Sequence, residues 1–216
     1  MAKFKFDWKK YSFDFISIFI AVISAFALNN WNDNRKISNA ETKILAEISN
    51  GLKSDIEDIK LNIRGHENGL VACAYWRRLI NGDSVNNDSL HQNYVYLTRD
   101  FISIQNVSGY ESLKSRGLEI IEDDSLRYML IDLYEFDFKI IRKLEEEYNE
   151  MQFYSNYFKE INSLLNRHLI FSQKGIPIGI HQPVPLSEED KKMLLIFIWK
   201  IEFNRAQGLP YDHITY

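Results

Sequence analysis

The chain has 216 residues and a net charge of −4, with 26 basic and 30 acidic side chains. This mildly acidic balance disfavours a nucleic-acid partner, which needs a basic face, and it disfavours a polybasic grip on anionic lipid. One cysteine, Cys73, leaves no intrachain disulfide. Its apolar helical context predicts a small buried side chain, with an intermolecular bridge as the alternative.

An uncharged apolar run from Phe15 to Leu28 is the strongest signal in the sequence. Extended to residues 11–31, it gives a helix of about 31 Å, enough to cross the roughly 30 Å hydrocarbon core of a bilayer. Two other interpretations stay open. One is a secretory signal with an Ala-Phe-Ala cleavage site at residues 25–27, and the other is a buried core helix of a soluble protein.

The flanks of this segment predict its boundaries and its orientation. Tyr11 and Trp31 are the expected interfacial anchors. Four lysines precede the span, whereas Arg35 and Lys36 follow it, so the amino end is expected to stay in the cytoplasm. We therefore predict a single-pass protein of the bacterial inner membrane with its bulk in the periplasm.

The rest of the chain reads as helical, since Gly and Pro are scarce and clustered. Apolar residues between positions 37 and 63 recur at helical spacing, and Gly65 is expected to end this stalk. The predicted fold class is all-α, a single N-terminal transmembrane helix continuing into an exported long-helix bundle. The predicted divisions are a cytoplasmic tail (1–10), a transmembrane helix (11–31), a stalk helix (32–65) and an exported helical domain (66–216).

Local signals predict the shorter elements. We expect a helix over 66–80 closed by Asn81-Gly82-Asp83, a helix over 89–98 capped at residues 86–88, and a short extended piece at 101–105. Ser108 and Glu111 have the spacing of a capping box for a helix that ends at Gly117.

Apolar side chains at three- and four-residue spacing predict one long helix over 126–170, opened by Asp123-Asp124-Ser125, with Asp137 as a candidate break or kink. A loop follows at 175–185. The final helix is expected from Ser187 to Gln207, and its apolar run 193–199 is expected to be buried on all sides. The predicted stripe of the long helix comprises Leu126, Leu130, Leu133, Ile140, Leu144, Tyr148, Met151, Phe158, Ile161, Leu165 and Leu169.

Two motifs lie about eighty residues apart in the sequence. Asp14 opens an apolar helix that leads to Asn-Asn-Trp-Asn at residues 29–32 and then to basic residues. Residues 110–117 read Tyr-x-x-Leu-Lys-x-x-Gly, followed by apolar residues, acidic residues and Leu126-Arg127. Together these motifs resemble a family of uncharacterised bacterial envelope proteins defined as a domain of unknown function. The resemblance implies a single-pass anchor with a helical exported domain, and it does not extend past about residue 170.

Asp14 is the sharpest functional candidate. A carboxylate inside a membrane segment is costly and marks a functional hypothesis. The layout is similar to that of proton-driven stator subunits, although Asp14 at a solvated interface is the simpler alternative. Ser17, Ala21 and Ala25 share a helix face of small residues that would let a second helix approach closely, and such residues are also common filler.

Nothing in the sequence points to catalysis. No Gly-x-Ser-x-Gly elbow or glycine-rich phosphate loop is present, the acidic runs 145–147 and 188–190 read as a solvated face and a helix start, and we expect no cofactor, metal or small-molecule substrate. The histidines lack zinc-ligand spacing and are expected at the surface or at caps; they are His66, His91, His168, His181 and His213.

The expected function is that of a non-catalytic structural or accessory subunit of an envelope assembly, which acts through helix packing. Its expected partners are the lipid bilayer and another protein, a second copy included. The alternative is an energy-coupling subunit in which Asp14 carries protons.

Overall fold

The computed structural model describes the backbone of residues 8–207 and the side chains of residues 12–206. Helices account for 79% of it and strands for 4%. The mostly helical fold is therefore confirmed, although a short β-hairpin that the all-α prediction leaves out is also present. Residues 1–7 of the predicted cytoplasmic tail lie outside the described residues.

Helices, π turns and 3-10 turns follow one another around one very long first helix. The elements in chain order are α1 (Trp8–Ile80), a 3-10 turn (Asn87–Ser89), α2 (Leu90–Leu97), α3 (Ser108–Arg116), a 3-10 turn (Leu118–Ile120), α4 (Asp124–Asp132), a π turn (Leu133–Asp137), α5 (Phe138–Arg142), a π turn (Lys143–Glu147), a 3-10 turn (Asn149–Met151), a π turn (Tyr154–Phe158), α6 (Lys159–Leu165), a 3-10 turn (Asn166–His168), β1 (Leu169–Phe171), β2 (Pro177–Ile180) and α7 (Glu188–Gln207).

Helix α1 runs unbroken for 73 residues, which corresponds to about 110 Å. The prediction that Gly65 ends a stalk and that a separate helix starts at residue 66 is wrong. Helix α1 continues through Gly65, and the Phe101 ring packs on the backbone there, so that a Cβ at Gly65 would come within 2.3 Å of Phe101 Cε1. The helix ends as predicted just before Asn81-Gly82, with Gly82 in the left-handed region at φ 92°.

Most helix boundaries follow the local signals. Asn86 and Asp123 both act as N-caps, accepting the N–H of the residue two or three positions on. Gly117, at φ 101°, ends α3. The capping box predicted at Ser108 is wrong, because Val107 is the N-cap residue and no side chain caps α3. At α7, Ser187 Oγ accepts the Asp190 N–H at 3.1 Å.

The predicted long helix over 126–170 is interrupted. Helical structure passes from α4 to α5 and on through a second π turn, then stops at Tyr148, whose ψ of 109° is extended. It resumes after Gln152 and gives way to β1 at Leu169. Asp137, the predicted break or kink, ends a π turn, and the helix continues past it.

The first two π turns displace the buried face of residues 133–147 by one residue relative to the predicted stripe. A π turn adds a residue to the helical repeat, so the side chains beyond it rotate around the axis. Ile140, a predicted stripe position, is 48% exposed, whereas Ile141 is fully buried. Leu144 is half-buried and Glu145 is buried, which is the same displacement. Between residues 126 and 147 the buried positions are Leu130, Tyr134, Phe138, Ile141 and Glu145.

Two hydrophobic cores lie along α1. One surrounds Ile44 and Ile48 and takes side chains from α3, α4 and α5. The other surrounds the end of α1, residues 72–80, and takes side chains from α2, α6, the hairpin and α7. Between them, Ile59 of α1 and Ile141 form a small apolar contact. The middle of α1 is therefore packed largely through glycine and polar side chains.

Helix α7 buries one face only, which corrects the prediction that residues 193–199 are buried on all sides. Leu194 and Ile198 are buried in the core around the end of α1. Met193 and Trp199 are 50% and 55% exposed. Because α7 packs on α1 and α6 from one side, the rest of its apolar circumference remains on the surface.

Strands β1 and β2 form an antiparallel hairpin in which Leu169 lies opposite Ile180. The side chain of Asn87 holds its outer edge: Oδ1 accepts the Ile180 N–H at 3.1 Å, and Nδ2 donates to the Ile180 carbonyl at 3.4 Å. This bond pair ties the hairpin to the turn that precedes α2.

Candidate functional site

The apolar start of α1 is exposed throughout. Among the described residues, α1 is the helix long and apolar enough to cross a membrane, with a mean hydropathy of 1.8 over its most apolar window. None of that window is buried by the chain. The segment is therefore not part of either hydrophobic core, and it stands as a candidate membrane span, a pattern that a signal sequence shares.

The predicted helix-contact residues Ser17, Ala21 and Ala25 share one face of this span with Asp14, the predicted functional carboxylate. Asp14, Ser17, Ala21 and Ala25 are spaced by three and four residues, so they line up along α1. All four are exposed. Ser17 Oγ donates to the Phe13 carbonyl at 2.8 Å, which satisfies the hydroxyl within the helix. No other part of the described chain covers this face.

The Asn-Asn-Trp-Asn region continues the helix. Asp33 accepts from Asn29 Nδ2 at 3.3 Å and from Lys36 Nζ at 3.4 Å. The Arg35 guanidinium lies 5.4 Å from the Trp31 ring centroid. These contacts span three or four positions and support helix through the predicted interface. Trp31 is 61% exposed, whereas the side chain of Tyr11, the other predicted anchor, lies outside the described residues.

In the middle of α1, carboxylates hold the connecting segment 99–107, an arrangement we term the polar seam. Asp55 Oδ1 accepts the Asn106 N–H at 2.9 Å, and Asp58 Oδ2 accepts the Ile104 N–H at 3.0 Å. From the second π turn, Glu145 Oε2 accepts both the N–H and the hydroxyl of Ser103 at 2.8 Å. The predicted extended piece 101–105 therefore pairs with side chains and not with a strand.

Burial dominates the electrostatics of the seam. Burial raises the pKa of Asp55, the hydrogen bonds from Asn106 oppose this, and the neighbouring Asp58 carboxylate adds to it. The pKa of Tyr134 rises to about 12, because its phenol is buried and lies near Asp55. The Tyr134 hydroxyl donates to the Asn106 carbonyl at 3.4 Å, so the segment is held from both sides.

Arg205 of α7 closes the seam at its other end. Its guanidinium donates to the carbonyls of Tyr96, Leu97 and Arg99 at 3.2, 3.3 and 2.8 Å. These carbonyls lie at and just beyond the end of α2, where a cation is favourable. Nη1 of the same guanidinium lies 3.1 Å from His66 Nδ1 on α1. One buried side chain thereby links three parts of the fold.

The surroundings of Arg205 explain how these groups ionise. The guanidinium lies 4.2 Å from the Phe153 ring centroid, and burial lowers the pKa of Arg205 to about 10. Burial, with help from Arg205, lowers the pKa of His66 to about 3, so its imidazole is neutral. Asp100 Oδ1 accepts the N–H groups of Phe153 and Tyr154 at 2.7 and 3.3 Å, and burial raises its pKa.

Sequence reasoning missed most of this seam. His66 was expected at the surface or at a cap, and Glu145 in a solvated acidic face; both predictions are wrong, since the residues are 6% and 3% exposed. The burial predicted for Cys73 is confirmed, and burial raises the pKa of its thiol to about 12. A usable signal existed: the apolar stripe of α1 continues at the same spacing through Gly51, Asp55, Asp58, Asn62, Gly65 and Gly69.

The hydrogen bonds of the seam fasten segment 99–107 and α7 to the middle of α1. Within residues 8–207, no group of three or more His, Cys, Asp or Glu side chains has the arrangement to hold a metal ion. Comparison of the chain with family models, with curated proteins and with solved structures found no match. The features that bear on function are the continuous helix α1, its exposed apolar segment and the way the folded domain is fastened to it.

Proposed function

We propose that this protein is a non-catalytic, membrane-anchored accessory subunit of a bacterial envelope assembly. In this proposal α1 crosses the inner membrane with its amino end in the cytoplasm, and the folded domain lies in the periplasm. The lysines before the span and the resemblance of residues 29–36 to an envelope family support this orientation.

The observation that carries the proposal is the continuity of α1. The helix that supplies the exposed apolar segment also supplies the backbone of both hydrophobic cores, with no hinge between them. From Trp31 to Ile80 it extends for about 74 Å. A folded domain built on such a helix is held at a set height and angle relative to the anchor, which suits a subunit that positions a partner.

The polar seam supports the same interpretation. Asp55 and Asp58 fasten segment 99–107 to the middle of α1, while Arg205 fastens α7 to it. These bonds are charge-assisted, and the Arg205–His66 contact among them is buried, so the domain cannot slide along the helix without breaking several of them. Residues 32–39 of α1, which we term the neck, are largely exposed and lie between the anchor and the core around Ile44. The helical structure of this neck then fixes the position of the domain relative to the anchor.

The experiment is a break in that neck at an exposed position. Ser38→Pro removes a helical hydrogen bond and kinks α1, at a cost of about 3 kcal/mol to the helix, whereas Ser38→Ala leaves it straight. We expect Ser38→Ala to complement a deletion strain and Ser38→Pro to fail at normal membrane abundance. Full complementation by Ser38→Pro would contradict rigid positioning.

The orientation has its own measurement. A reporter fused after Tyr216 that works only outside the cytoplasm should be active, while a carboxy-terminal fluorescent protein that folds only in the cytoplasm should be dark. The reverse result would overturn the proposed topology. A mature protein beginning at Leu28 would show that the segment is a cleaved signal.

The energy-coupling alternative rests on one specific observation. Asp14 lies on the same helix face as Ser17, Ala21 and Ala25. A second helix packed against the small residues would therefore also meet the carboxylate, which a proton carrier in a membrane requires. Substitution of Asp14 by asparagine separates the two functions.

A further inference from the structure

Two exposed aromatic rings lie one turn apart on α7. Trp199 and Phe203 are 55% and 46% exposed, and their ring centroids are 5.6 Å apart. With the buried Tyr157, they line an open cleft of about 470 Å³. That volume is within the range of about 300–1,000 Å³ that ligand sites occupy.

The rest of the cleft is polar. Asn204 Nδ2 donates to the Glu150 carbonyl at 3.0 Å, and Asn156 Nδ2 donates to the Asn149 carbonyl. These bonds fix both carboxamides and leave their Oδ1 atoms as acceptors. The carboxylate of Glu150 and the ammonium of Lys200 add a further acceptor and a donor. The cleft thus combines an aromatic surface with two fixed carboxamides and two side chains of opposite charge.

We propose that this cleft binds an uncharged saccharide chain. A pyranose ring has C–H groups on its faces, which pack on aromatic rings, and hydroxyl groups around its edge, which both donate and accept hydrogen bonds. Trp199 and Phe203 provide the surface for the ring face, and the amides with Glu150 and Lys200 provide partners for the edge. The opposite charges of Glu150 and Lys200 offset each other, so the cleft offers no excess charge to a phosphate or a carboxylate.

The test is calorimetric titration of the full chain with chitotetraose and with cellotetraose, in a detergent that contains no sugar headgroup. We expect saturable binding of at least one of them. Preference for chitotetraose would indicate an aminosugar chain, and preference for cellotetraose a plain glucan; both support the proposal. Failure of both saccharides to bind at millimolar concentration would overturn it. The measurement is independent of membrane orientation and of the positioning function.

Variants locate the binding. Trp199→Ala should weaken it about tenfold or more, as expected for loss of a stacking surface, and Trp199→Phe should restore part of it. Ile196→Ala is the matched control: the residue is 50% exposed on the same helix but does not line the cleft. Unchanged binding in Trp199→Ala would overturn the proposal. A particle mass smaller than that of the wild type in both alanine variants would also overturn the proposal, because it would identify this face as a contact between two copies of the chain.

Discussion

The Arg205 guanidinium lies 3.1 Å from His66 Nδ1, although 139 residues separate the two along the chain. The contact joins the last helix to the middle of the first. Because the imidazole accepts from a permanently charged donor in a buried site, it must stay neutral for the fold to hold. This requirement makes the stability of the domain depend on pH.

We expect the free energy of unfolding to fall as the pH drops below 6.5. Burial and Arg205 lower the pKa of His66 from 6.5 to about 3 in the folded chain, so only the unfolded state binds the proton at intermediate pH. The stability that neutral His66 contributes is complete above the unfolded-state pKa of 6.5 and is lost as the pH falls toward the folded-state pKa of about 3. Between pH 7 and pH 5 the loss is about 2 kcal/mol, measured by urea unfolding.

The control is His66→Asn, which places an amide oxygen near the Nδ1 position and does not titrate. Its stability should vary less over the same pH range. Burial raises the pKa values of Asp55 and Asp100, so these two carboxyls make the domain more stable as the pH falls, the opposite of His66. Their contribution is the same in the wild type and in His66→Asn. An identical pH dependence in wild type and variant would show that His66 is not the source.

Gly65→Ala should destabilise the domain, although alanine favours an isolated helix by about 1 kcal/mol. A Cβ there would come within 2.3 Å of Phe101, and overpacking of this kind costs about 1–3 kcal/mol. In a Phe101→Ala background the same substitution should be neutral or stabilising. Chemical denaturation of the four proteins gives the coupling, and a stabilised Gly65→Ala single variant would refute the contact.

The one-residue displacement caused by the π turns is tested by two adjacent isoleucines. Ile141→Ala should cost about 2–4 kcal/mol because it empties a fully buried site. Ile140→Ala should change stability by no more than about 0.5 kcal/mol, since that side chain is half exposed. Melting curves of the two variants decide the register, and the reverse order would restore the buried stripe predicted from the sequence.

Asp14→Asn separates the positioning function from energy coupling. Asparagine keeps the shape of the side chain but does not exchange a proton, so a proton carrier would lose all activity. For a positioning subunit we expect full complementation, because an amide is equally well accommodated near a membrane interface. Membrane abundance is checked by immunoblot, and loss of function at normal abundance would establish the alternative.

The candidate site could be predicted only in part. Asp14, Ser17, Ala21 and Ala25 were identified because a lone carboxylate and small residues stand out in an apolar run. Their exposed common face agrees with a regular helix. The seam is not predicted from the sequence because a buried acid and a solvated acid look alike there, and the predicted solvated face at Glu145 is wrong.

The sequence by itself determined the helical character, the exposed apolar segment and most of the helix ends, because these depend on composition and on caps within four residues. The tertiary structure alone decided that α1 passes through Gly65, that His66 and Glu145 are buried, and that the buried face of residues 133–147 is displaced by one residue. The first two depend on distant side chains such as Phe101, Arg205 and Ser103, whose approach no local pattern encodes, and the third depends on π turns that the apolar spacing does not reveal.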